Sequence, residues 1–268
     1  MIGGRAATAE LVRESAAFAI AEMRATHTLK TYLFGWLLRL VLQAIFFALV
    51  AGYVGTRASL RYSLVGNAVV LGCLESMIVV LMMVQERITG ALPLLAASPT
   101  SHIPVYLGRG LHWLVSGMLS SLTAFVVLPF VLGVPLPWPR AALALPVILV
   151  VCLSSYCYGC LLGTLALRYM GVTWLVLNLG YLPAMAFCGV NVPLSFWPAP
   201  LHALAEILPV THGLLAVRGV LAGASAGTVV AQLVLELLVG IGWLTVAGTA
   251  IERVVRRGIA TGSLEFGS

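Results

Sequence analysis

Few residues in this chain combine the type and the spacing that chemistry needs. Cys157-x-x-Cys160 has the spacing of half a zinc site, but it falls in an apolar run with no second pair, which marks packing thiols. His27, His102, His112, His202 and His212 are scattered and never take the His-Glu-x-x-His spacing of a zinc protease. Ser154 and Ser155 would need a histidine at the same depth to act as nucleophiles, and none is identifiable opposite them. The sequence contains no Asp, which excludes the aspartate-rich motifs that hold magnesium diphosphate. Its one Lys, Lys30, follows Leu29 where a phosphate-binding loop requires Gly. No catalytic residue, no metal ligand set and no cofactor of the chain's own is therefore expected.

A second group of polar residues stands alone in apolar surroundings: Arg39, Gln43, Glu75 and Glu236. Arg39 and Gln43 are one helical turn apart. Counting at 1.5 Å per residue, Arg39 and Glu75 lie roughly 12 and 14 Å from the same ends of neighbouring helices. A lone charge at that depth costs at least about 2.5 kcal/mol. Two arrangements relieve it: an ion pair, or an Arg39 that snorkels to the headgroups beside a protonated Glu75. Glu236 either lines a path for a passing molecule or bonds to a neighbouring helix, and the second is the expectation.

These residues sit in a chain that is 61% hydrophobic and only 9% charged, with a net charge of +6. A soluble domain is about a quarter charged, so composition alone reads as a membrane protein. The positive residues cluster at the ends of apolar runs and not in one patch, which excludes nucleic acid as a partner.

A helix needs roughly 20 apolar residues to cross a bilayer core, and six stretches qualify: about 32–54, 60–84, 111–132, 141–167, 171–189 and 228–251. Residues 6–30 alternate charge and apolar side chains at helical spacing, as an amphipathic helix in the membrane interface would. The segment 190–225 is too apolar for an exposed loop yet is broken by Pro193, Pro198, Pro200 and Pro209. Two short helices, about Pro200–Ile207 and Pro209–Leu221 and each opened by a proline, would dip into the membrane and return. The fold class is thus an all-α membrane protein, a single transmembrane domain over 1–268. With both termini cytoplasmic, the inner face receives ten Arg or Lys residues from Arg5 to Arg257, and the outer face only Arg57, Arg61, Arg140 and Arg218.

The longest polar interruption in the first half is Gln85–Arg109, which opens with Glu86 and Arg87, turns at Gly90, continues through Leu92, Leu94 and Leu95 and breaks at Pro99. This loop resembles that of the permease subunits of type 2 ABC exporters, which carry E-R-x-x-G-x-L closed by a proline; here it reads Glu86-Arg87-Ile88-Thr89-Gly90-Ala91-Leu92 with Pro99 behind it. Where family members often have an acid after that leucine, this chain has Pro93. The stretch from Gly189 to Arg218 is similar as well, with Pro193, Pro209 and Arg218 matching. The resemblance implies a twofold dimer with two separate ABC ATPase subunits that bind ATP and Mg. It implies a coupling helix after Gly90 seated on the ATPase, with Glu86 and Arg87 clamping the loop to the amphipathic helix. It also implies an outer gate that includes Pro193, Pro209, His212 and Arg218. The expected activity is ATP-driven export of a hydrophobic or amphiphilic small molecule (drug, antibiotic or lipid) across the cytoplasmic membrane. Export of lipid-linked polysaccharide is the alternative cargo, and a membrane-embedded enzyme the rival class.

Overall fold

The computed structural model describes residues 30–90 and 110–261, with isolated positions at 10, 13, 14, 17, 20, 21, 28 and 108. Most of the expected amphipathic helix and of the coupling loop, including Leu92, Leu94, Leu95 and Pro99, lies outside the described residues. Every regular element among the described residues is helical. A π-helical segment Thr31–Leu37 leads into α1 (Leu38–Val54); α2 (Arg57–Met77) and α3 (Val79–Ile88) follow; then α4 (Leu111–Val131), α5 (Trp138–Ala166), α6 (Thr173–Phe187), α7 (Ala199–Ile207), α8 (Thr211–Ala222) and α9 (Ala226–Thr261).

The starts and stops follow local chemistry. α2 opens on a capping box: Thr56 Oγ1 accepts from the Ser59 N–H at 3.4 Å, and Ser59 Oγ accepts from the Thr56 N–H at 3.3 Å. At the far end of α3 the chain turns at Gly90, whose φ of +75° lies in the left-handed region open to glycine. Prolines at 137 and 139 flank the first residue of α5, where a missing N–H costs nothing.

α2 and α3 form one apolar rod, Arg57–Ile88, at the centre of the bundle. The rod packs along α4 at a crossing of small residues. A Cβ on Gly72 would come within 2.8 Å of the Gly117 carbonyl oxygen and 2.7 Å of Ser121 Cβ, so only glycine lets these backbones approach. Ser121 Oγ adds a hydrogen bond to the Ala68 carbonyl at 2.8 Å. α5 packs along the rod and in turn contacts α9 and α8.

Among the described residues, four helices are long and apolar enough to cross a membrane: Arg57–Ile88, Leu111–Val131, Trp138–Ala166 and Ala226–Gly258; the bent pair α7–α8 would make a fifth. The six expected spans are thus met in four places. The first expected span is shorter as an α-helix, 17 residues, because its opening turns are π-helical. The fifth is 15 residues, cut at one end by the 3-10 turn Met170–Val172 and at the other by Gly189 at φ +78°. At 1.5 Å per residue this helix is about 22 Å long, against roughly 30 Å of hydrocarbon.

Candidate functional site

The segment before α9 folds as two short helices, α7 and α8, meeting at 89°. α7 begins at Ala199 with Pro198 at its cap and Pro200 in its first turn. Pro209 does not open the second helix, contrary to expectation: it sits in the break, and α8 begins two residues later at Thr211. Val210, between them, holds φ at 91°, a conformation costly for a β-branched residue. Something must hold that corner.

Glu236 of α9 does so. It is fully buried, and its two oxygens divide the work: Oε1 accepts from the Val210 N–H at 3.0 Å and Oε2 from the Gly213 N–H at 2.9 Å. A helix start leaves its first N–H groups without partners and carries a partial positive charge, and a carboxyl group answers both. Gly213 has no room for a side chain, since a Cβ would fall 2.0 Å from Val151 Cγ2. The same helix α9 fixes both sides of the corner. Trp243 Nε1 donates to the Ile207 carbonyl at the end of α7 (2.8 Å), and Gln232 Oε1 pairs with His212 Nδ1 at 2.9 Å. The other ring nitrogen of His212 meets the Glu206 carbonyl at 3.2 Å, and Thr211 Oγ1 donates to the Ala205 carbonyl at 2.5 Å.

Arg218, two turns into α8, ties the pair to the rest of the bundle. Its Nη1 donates to the Gly189 carbonyl at 2.6 Å, and its Nη2 to the carbonyls of Tyr62 and Val190 at 3.1 and 3.2 Å. The guanidinium carbon lies 3.4 Å from the centroid of the Tyr62 ring, a cation–π contact. Next to it Asn191 Oδ1 accepts from Ser63 Oγ and from Asn67 Nδ2, both at 2.7 Å. α2 comes so close to this turn that a Cβ on Gly66 would fall 2.1 Å from the Val190 carbonyl oxygen. Pro193 follows as the cap of the short turn Leu194–Phe196. The expected gate residues thus divide: His212 and Arg218 carry hydrogen bonds, while Pro193 and Pro209 shape the backbone.

Sequence reasoning missed Tyr62, Ser63, Asn67, Asn191, Gln232 and Trp243. The available signal was spacing: Ser63 and Asn67, like Gln232 and Glu236, stand four apart in otherwise apolar helices and so share a face.

The other polar residues lie apart from this site. Glu75 is fully buried on α2 and accepts from Ser116 Oγ of α4 at 3.2 Å; Tyr32 Oη bonds the same Ser116 Oγ at 2.7 Å. Arg39 occupies an exposed position on α1, and Gln43 a half-buried one. At the end of α3, Glu86 is buried and Arg87 Nη1 donates to the Leu167 carbonyl, which ties α3 to the end of α5. Cys157 and Cys160 are free, buried thiols, and among the described residues no group of three His, Cys, Asp or Glu side chains could hold a metal ion.

The arrangement offers a braced corner rather than a reaction centre, and its place in the chain is informative. The sequence profile of the ABC-2 type transporter family matches residues 22–222, about three quarters of the chain and up to the last residue of α8. The chain belongs to that family. It is the transmembrane subunit of an ABC transporter, a multi-pass membrane component of a family that is generally non-enzymatic and normally works with an ABC ATPase. The comparison with curated proteins returned no match. The ABC-2 match ends before α9, so Glu236, Gln232 and Trp243, which brace the corner, stand outside the matched region.

Proposed function

We propose that this permease is the membrane half of an ATP-driven exporter that moves a hydrophobic or amphiphilic small molecule outward. Two copies form a dimer in the cytoplasmic membrane, with both termini inside and two ATPase subunits carrying ATP and Mg docked at the loop after Gly90. In this reading α1, extended by its π-helical turns to 31–54, and α6 cross the membrane with the four longer helices, giving six spans. The bent pair α7–α8 is the outer gate, and Leu92, Leu94, Leu95 and Pro99 belong to the coupling helix.

One observation carries the proposal. The rod Arg57–Ile88 is 32 residues long and links both ends of the mechanism. Its last turn holds Glu86 and Arg87, and its first turns hold Tyr62, Ser63 and Asn67, which grip Arg218 and Asn191 beside the bent pair. At 1.5 Å per residue the rod reaches about 48 Å, enough to relay a push on the loop to the gate. The buried Glu86 and the Arg87 bond to Leu167 tie the end of the rod, where the loop begins, to the end of α5.

The test is purification from the host membrane. A stoichiometric ATPase is expected with the native chain, and Leu92→Asp or Leu95→Asp should abolish its permease-dependent ATPase activity while the permease stays in the membrane. A permease that purifies alone and converts a substrate unaided would refute the exporter.

A further inference from the structure

Three of the four arginines allotted to the outer face by the sequence, Arg57, Arg61 and Arg218, line one place. Two adjoining cavities open there, of about 480 and 590 Å³. The first lies between α2 and α8 and is lined by Arg61, Tyr62, Val65, Arg218 and Leu221. The second lies between the start of α2 and the turn after α4, lined by Arg57, Leu60, Arg61, Leu132 and Val134. Arg61 is the wall between them. Arg140 of α5 stands outside both linings: its Nη1 lies 2.7 Å from where a Cβ on Gly223 would stand, one residue past Ala222 of the first cavity.

These arginines differ in what already occupies them. Arg218 is spent on three carbonyls and the Tyr62 ring. Among the described residues, Arg57, Arg61 and Arg140 have no carboxylate within 4 Å, and no Glu lines either cavity. Two guanidinium groups, those of Arg57 and Arg61, therefore line the cavities with no counter-charge, beside walls of Val65, Leu221, Leu132 and Val134. Arginine forks match phosphate and carboxylate oxygens two at a time. The apolar walls suit a hydrocarbon chain.

We infer that this paired cavity is a binding site for an anionic amphiphile, with its phosphate or carboxylate head on Arg57 and Arg61 and its apolar tail along α2, α8 and the turn after α4. This names a cargo class for the proposed exporter and rests on that reading only for the direction of movement. The binding needs no ATPase.

The experiment uses the full chain in phosphatidylcholine nanodiscs, with fluorescent phosphatidylglycerol and fluorescent phosphatidylcholine as probes. The native chain should retain the anionic probe at least about tenfold more tightly than the zwitterionic one, and added salt should weaken that preference. Arg57→Gln/Arg61→Gln should erase the preference without lowering the melting temperature, since neither side chain bonds to another described residue. Arg57→Lys/Arg61→Lys should restore part of it. Equal retention of the two probes by the native chain, or an unchanged preference in the double Gln variant, overturns the site. Displacement by inorganic phosphate at the concentration at which the anionic lipid itself competes also overturns it, because the tail would then contribute nothing. A chain that passes these tests but purifies without an ATPase would keep the site and lose the exporter.

Discussion

The rod Arg57–Ile88 and the last helix α9 are nearly alike in length and hydropathy, yet they occupy opposite places. In the rod 83% of the most apolar window is buried inside the bundle; in α9 the share is 11%. Hydropathy measures distaste for water and is silent on whether lipid or protein replaces it. What separates the two helices is the small and polar content of their faces. The rod presents Gly66, Gly72, Ser63, Asn67 and Ser76, which permit backbone contact and interhelical hydrogen bonds. α9 presents Val234, Leu238 and Ile241 outward, and turns one narrow face inward through Gln232, Glu236 and Gly240. A helix buried over little of its surface thus holds the corner of the bent pair through Glu236, with Gln232 and Trp243 on either side.

The most severe way to break this contrast is therefore a change on the exposed helix. Glu236→Ala strands two buried N–H groups, at about 1–3 kcal/mol each, and leaves the strained Val210 without its brace. We expect folded permease to fall sharply in the membrane and the melting temperature in detergent to drop by the largest amount of any variant here. Glu236→Gln keeps one acceptor oxygen and should lose only part of that stability. Equal losses for the two would mean that filling space matters and capping does not.

The next comparison makes one substitution in both helices. Gly72→Ala in the rod drives a methyl group against Cys152 Sγ at 2.6 Å and the Gly117 carbonyl at 2.8 Å, and should destabilise by about 1–3 kcal/mol. Gly242→Ala in α9 meets nothing within 4 Å and should be neutral or gain up to about 1 kcal/mol of helix propensity. Thermal unfolding of the two purified variants side by side reads the difference. Between these lies Arg218→Lys, which keeps the charge but cannot reach three carbonyls and stack on Tyr62 at once. We expect a loss of about 1–2 kcal/mol by the same assay, with transport reduced more than stability.

How much of this the sequence disclosed depended on whether the cause was local. The class, the four long apolar helices and the two short helices before α9 are set by runs of apolar residues and by prolines, and they lie within a few residues of expectation except at the end of α9, which runs on to Thr261. Arg218 stood out because it matches the arginine that the family resemblance places before the last span. Glu236 was expected to bond to a neighbouring helix, but not to cap its start, because its partners are backbone N–H groups 26 and 23 residues away, and neither bond leaves a mark in local spacing. The proline rule for helix starts held for α7 and failed for α8 for that reason: a distant carboxyl group had taken over the cap. Hydropathy counted α1 and α6 as full spans because it cannot register a π-helical turn at Thr31–Leu37 or a 3-10 turn at Met170–Val172.

The smallest expected effect sharpens the comparison most. Val234, Leu238 and Ile241 form an outward stripe on α9, and Leu238 is 57% exposed. If that stripe faces lipid, Leu238→Ala exchanges one apolar surface for a smaller one in an apolar solvent, and stability should move by no more than about 0.5 kcal/mol. The oligomeric state, measured by light scattering on the detergent-solubilised permease, should be unchanged. A variant that dissociates would place α9 against another copy of this chain. Its low burial would then be a property of the single chain and not of the assembly, and the contrast with the rod would describe two kinds of protein contact instead of protein and lipid.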